Sequence, residues 1–142
     1  MFSKSEAKQL RQEFWIAFEK SFPRKWILYD TKIKDFSFKF HFDANKAMVS
    51  LDIENKNLEK RFELWKKLNS LKVVLTENYL PKIQFEEYTY LENKTEISRI
   101  YVLKEKVSIH NKNTWQETMV FLQENMVKFE AFFNDFEDIF TN

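Results

Sequence analysis

The sequence predicts an α+β domain of order α-ββ-α-ββ-α, in which two hairpins form a four-stranded, mainly antiparallel sheet and the chain ends in a long C-terminal helix. Three observations carry that expectation. Phe36, Phe38, Phe40 and Phe42 alternate with Ser37, Lys39 and His41, the period of a half-buried strand. Trp115, Met119, Leu122, Met126, Phe129, Phe133, Phe136 and Phe140 follow a 4-3-4-3 spacing, the mark of one helical stripe. Ser3-Lys4-Ser5-Glu6 and Thr114-Trp115-Gln116-Glu117 both read as capping boxes, in which a hydroxyl and a carboxylate satisfy free N–H groups at a helix start.

Taken in order, the first helix carries Ala7, Leu10, Phe14, Ala17 and Phe18 at helical spacing, and Pro23 closes it. A basic connector, Pro23-Arg24-Lys25, and a short apolar run from Trp26 to Tyr29 lead to the Phe-rich strand. Asp43-Ala44-Asn45-Lys46 supplies turn residues, after which Ala47, Val49, Leu51 and Ile53 alternate with Met48, Ser50, Asp52 and Glu54. Closure around Ala44-Asn45 sets Phe42 opposite Ala47, Phe40 opposite Val49, Phe38 opposite Leu51 and Phe36 opposite Ile53. Both apolar sets then share one face, as a half-buried hairpin requires. Asn57 caps a second helix carrying Leu58, Phe62, Trp65, Leu68, Leu75 and Tyr79, with Asn69-Ser70 a point of kinking or division and Pro81 its end. A second hairpin runs from Ile83 to Leu91 and from Ile97 to Leu103; Glu87 and Arg99 interrupt either alternation, so its faces stay open. The sequence shows no linker, repeat or low-complexity segment, and a single domain over residues 1–142 is expected.

A chain of 142 residues can bury roughly 68% of the surface its unfolded form exposes. There is no Gly and no Cys, so Gly-rich phosphate loops, dinucleotide fingerprints, the nucleophile elbow and thiolate zinc sites are excluded. The two histidines, His41 and His110, are too far apart for a His-Glu-x-x-His helix, and they read as an exposed strand residue and a loop residue. No apolar run approaches the roughly 18 residues of a membrane span, and the N-terminus has no apolar leader, so a cytoplasmic protein without membrane contact is expected. Net charge is +1, which argues against nucleic-acid binding by this domain alone. Residues 1–82 nevertheless hold 17 basic and 11 acidic side chains, and residues 83–142 hold 6 and 11. Such asymmetry points to a partner, a second copy of the chain included.

Three features could carry function. Asp52, Glu54 and Lys56 have the alternation of carboxylates and lysine that metal-dependent nucleases use to hold Mg²⁺ and polarise water; the structural alternative is the solvated face of a strand running into a helix. The 16 Phe residues could line an apolar ligand cavity, although interiors are close-packed by default. The terminal stripe, through Met119, Leu122, Met126, Phe129, Phe133 and Phe136, should meet another helix lengthwise, either in the same chain or across a two-fold axis, and a homodimer interface is favoured slightly over a wholly internal role.

The segments "EAKQLRQEFWIAF", "FSFKFHFDANKAMVSLDIEN", "ISRIYV" and "NKNTW" resemble the bacterial domain-of-unknown-function 4268 family over nearly the whole chain. The resemblance implies kinship with small stand-alone bacterial proteins and with domains that follow a nuclease-like domain in longer chains. It implies no established activity. The expectation is a non-enzymatic interaction domain without a cofactor that homodimerises through the C-terminal helix, is open to a protein partner and is accessory to DNA processing or defence. The alternative is a carboxylate-based metal-dependent hydrolase using Asp52, Glu54 and Lys56.

Overall fold

The Ser3 hydroxyl accepts the Glu6 N–H at 3.2 Å while the Glu6 carboxylate accepts the Ser3 N–H at 3.4 Å, so the first helix begins with the reciprocal cap its sequence encodes. The computed structural model describes residues 2–141. Helix α1 (Lys4–Ser21) buries Leu10, Phe14 and Phe18. Strands β1 (Phe36–Phe42) and β2 (Lys46–Ile53) pair antiparallel in the expected register, Phe36 opposite Ile53 through Phe42 opposite Ala47. Asn57 Oδ1 accepts the N–H groups of Glu59 and Lys60, starting α2 (Leu58–Ser70). At Leu71, next to Asn69-Ser70, the helical run divides and α3 (Lys72–Asn78) follows. The second hairpin is β3 (Gln84–Tyr90) and β4 (Glu96–Glu105). Strand β4 inserts beside β2, giving the all-antiparallel order β1-β2-β4-β3. A 3-10 turn (Lys112–Thr114) precedes α4 (Trp115–Thr141).

The expected Thr114–Glu117 capping box does not form. The Thr114 hydroxyl instead accepts the Ser108 N–H at 3.1 Å and faces the carbonyls of Ser108 and Asn111, closing the loop ahead of α4. That helix leaves helical geometry at Phe136 (φ −118°, ψ 16°), so its stripe is regular in sequence and bent in space.

The helices lie on the Phe-bearing face of the sheet. Phe14 meets Phe42 with ring centroids 4.6 Å apart, Phe129 meets Phe38 at 5.8 Å, Phe133 also meets Phe38 at 5.8 Å, and Trp65 meets Phe85 at 5.7 Å. The 4-3-4-3 stripe therefore faces the chain's own sheet. Met119, Leu122, Met126, Phe129 and Phe133 are buried, and Phe136 is half-buried against Tyr79 and Phe132. An apolar helical stripe needs an apolar surface opposite, and for these six residues, expected at a homodimer interface, the inner sheet face supplies one within the chain. The Phe population likewise packs ring against ring, with Phe14, Phe36, Phe38, Phe129 and Phe132 fully buried in one core.

Without glycine, the sharp bends use ordinary residues in the left-handed region: Leu28, Lys32, Asp35, Lys94 and Lys106, at φ between 49° and 69°. Each costs on the order of 1 kcal/mol relative to glycine. Three of the five fall in the bend between α1 and β1. Glu130, buried on α4, anchors that bend by accepting Arg24 at 2.8 Å and the Ile27 N–H at 2.6 Å. No helix among the described residues is long and apolar enough to cross a membrane.

Candidate functional site

The strand register sorts the polar residues of the sheet into rows on the face opposite the helices. Ser37, Asp52, Arg99 and Glu86 form one row, and Lys39, Ser50, Tyr101 and Gln84 the next. Asp52 lies at the centre and is fully buried, although the sequence reads it as part of a solvated face. Arg99 grips it with two hydrogen bonds, Nε at 2.7 Å and a terminal nitrogen at 2.9 Å. Lys39 Nζ lies 3.2 Å from Asp52 Oδ2 and 2.9 Å from Glu54 Oε2, bridging the two carboxylates. The Ser50 hydroxyl donates to Asp52, and His41 Nε2 stands 2.8 Å from Ser50 Oγ. Tyr101 donates to Glu86 at the far side. Long side chains from the flanking strands thus roof a carboxylate that no helix needs to cover.

The electrostatics follow from that packing. Burial alone would raise the Asp52 pKa, but the Arg99 hydrogen bonds and charge, with Lys39 behind them, outweigh it and hold the carboxyl below its usual value. Burial opposes the charge of Lys39 too, and the Glu54 and Asp52 contacts win, raising its pKa. For His41, burial and the nearby Arg99 and Lys39 charges prevail over attraction to Asp52 and Asp43, pushing its pKa down to about 4. The imidazole is neutral at pH 7 and is half-buried, not the exposed strand residue the alternation suggests. A folded pKa below the unfolded value of about 6.5 means that the unfolded chain takes up the proton first, so this stability is complete above pH 6.5 and is lost as pH falls towards 4. Urea unfolding between pH 6.5 and 4.5 is expected to show stability falling by about 1.4 kcal/mol per pH unit from this group. His41→Gln should flatten that slope; an unchanged slope would place the titrating group elsewhere.

The network resembles catalytic machinery in composition but differs in arrangement. A serine nucleophile needs an accessible Oγ held by a histidine that a carboxylate orients. Here Ser50 lies between His41 and Asp52 and is fully buried. Nor do Asp52, Glu54 and Lys56, the residues of the alternative hydrolase reading, come together. The Lys39 ammonium already sits between Asp52 and Glu54, where a divalent ion would have to bind, and Arg99 takes both oxygens of Asp52. Lys56 is exposed in the bend before α2, outside the network. Among the described residues, no group of three or more His, Asp or Glu side chains is placed to hold a metal ion.

A second feature lies at the other edge of the sheet, on the helix side. The β3–β4 register slips between Glu86 and Thr89, a bulge at which Glu87 and Tyr88 together oppose Ser98. Ser98 donates its hydroxyl to the Glu87 carbonyl at 2.6 Å, which fixes the bulge. Between this bulge and α2 runs a groove of about 390 Å³, walled by Leu58, Phe62, Tyr88 and Glu59 and floored by Trp65. The sequence stripe assigns Leu58 and Phe62 to the core, yet they are 63% and 53% exposed, as is Tyr88 at 62%. The buried Arg61 turns its guanidinium to the Glu96 carboxylate and the Glu96 carbonyl at the groove's end.

Comparison with known proteins adds one finding. No curated protein and no solved structure matches the chain. A family model described as a domain of unknown function matches residues 10–137, from the buried face of α1 to the last turns of α4. With nearly the whole described fold inside that match, the chain belongs to the DUF4268 family.

Proposed function

We propose that this chain is a non-enzymatic interaction domain that docks a protein partner in the groove between α2 and β3. The observation that carries the reading is the exposure of Leu58, Phe62 and Tyr88 around one concavity, in a protein whose remaining large aromatics are mostly packed inside. Exposed apolar side chains gathered at one place favour contact with another molecule. The polar face supports the same reading by its closure: each charge of its centre has a partner inside the sheet, leaving neither a free nucleophile nor an open cation position. An accessory role in DNA processing or defence is proposed from the likeness to domains that follow a nuclease-like domain.

The hydrolase alternative is tested with plasmid DNA in Mg²⁺ or Mn²⁺. The DNA is expected to stay intact, and the thermal midpoint to be equal in metal and in chelator. Metal-dependent cleavage abolished by Glu54→Gln, which leaves the Asp52–Arg99 pair in place, would overturn the reading.

A further inference from the structure

Resting on the docking reading above, we infer that the groove between α2 and β3 receives a short segment of a different protein in which apolar side chains are flanked by Lys or Arg. The apolar part follows from the walls, Leu58, Phe62 and Tyr88, and from the Trp65 floor, which offer large side chains a surface to fill. The basic part follows from the rim. Glu59 and Glu87 form no ion pair among the described residues, whereas the Arg61 cation is buried and committed to Glu96. The free charge facing the groove is therefore acidic. Lys66 does not line the groove; its ammonium already lies over the Phe62 ring, 5.4 Å from the centroid.

Two other modes of occupation are disfavoured by the fold. Strand β3 is a sheet edge, but the bulge at Glu87 and Tyr88 breaks its ladder, so a partner strand cannot extend the sheet along its full length. Side-chain anchors carry the contact instead. A second copy could offer its own basic bend, residues 24–34, where Tyr29 is 84% exposed. That bend borders β1, since the Phe38 N–H donates to the Leu28 carbonyl at 2.9 Å, while the groove borders β3 at the opposite edge. Contact between opposite edges repeats head to tail and does not close into a dimer.

The test measures fluorescence anisotropy with a labelled peptide alternating Lys with Leu and with a counterpart carrying Glu in place of Lys. The Lys peptide is expected to bind the wild type, and Phe62→Ser or the charge reversal Glu87→Lys should each weaken it about tenfold. Added salt should weaken the wild-type complex more than the Glu87→Lys complex. Both substitutions are at the groove surface, and unchanged unfolding midpoints confirm that the variants fold. Binding of the Lys peptide that survives Phe62→Ser reflects general electrostatics and overturns the inference. Phe62-dependent binding of the Glu peptide overturns the basic preference and leaves the docking reading standing. If neither peptide binds, and no member of a displayed random-peptide library is retained by the wild type but lost by Phe62→Ser, both readings fall. A concentration-dependent mass in sedimentation that Tyr29→Ser abolishes would make a second copy the occupant and overturn the choice of a different protein.

Discussion

Arg99→Ala is expected to destabilise the protein by about 3–5 kcal/mol, the cost of leaving a buried charge without its main partner. Asp52 has no exposed surface, and Arg99 supplies two of its closest contacts, at 2.7 and 2.9 Å. Lys39 remains, but its ammonium is shared with Glu54 and approaches Asp52 at 3.2 Å. Solvent entering where the guanidinium stood would recover part of the loss, as would protonation of Asp52 once its carboxyl is no longer held down. The double variant Arg99→Ala/Asp52→Asn should therefore be more stable than Arg99→Ala alone, a sign no independent pair of sites would give. Urea unfolding of the wild type, both single variants and the double variant supplies the cycle. A loss below about 1 kcal/mol in Arg99→Ala would mean that Lys39 and Ser50 suffice, and the central role given to the bidentate pair would fail.

How much of this was legible in the sequence differs from element to element for physical reasons. The first hairpin could be read to the residue because four Phe on one strand and four aliphatic side chains on the next leave a single register in which both apolar sets share a face. The second hairpin resisted because the bulge puts two residues of β3 against Ser98. Ile97, buried, then shares its face with Arg99 and Tyr101, so neither alternation is clean. Alternation also tells which face a residue takes, not how deep it lies. Asp52 is on the face expected, but only the cross-strand arrangement of β1, β2 and β4 shows that Lys39, His41 and Arg99 close over it. The alternation does not place β4 beside β2, and the opposite charges of Asp52 and Arg99 are the sequence feature that matches that pairing. For the same reason Lys39, which looks like an ordinary surface position, is a structural cation.

The helices show a different limit. Leu58 and Phe62 have the spacing of a core stripe, but α2 overhangs the bulged end of β3, and what the stripe lacks there is a surface opposite. Conversely, the α4 stripe reads as an interface between chains because spacing records that a partner exists and not which chain supplies it.

Phe129→Ala separates those two sources. Phe129 is fully buried and packs on Phe38 inside one chain, so its truncation is expected to cost about 3–5 kcal/mol, the removed aromatic surface plus the cavity left behind. Phe62→Ala, on the half-exposed wall of the groove, should cost within roughly 0.5 kcal/mol, as an ordinary surface change does. The decisive readout is the dependence on protein concentration. A side chain buried within its own chain changes the unfolding equilibrium by the same amount at every concentration, whereas one buried between copies gives a stability that rises with concentration by mass action. Urea midpoints of the wild type and Phe129→Ala, compared at dilute and at hundredfold higher protein, are therefore expected to differ by a constant interval. A wild-type midpoint that climbs with concentration, and a Phe129→Ala midpoint that does not, would return the α4 stripe to an interface between two chains.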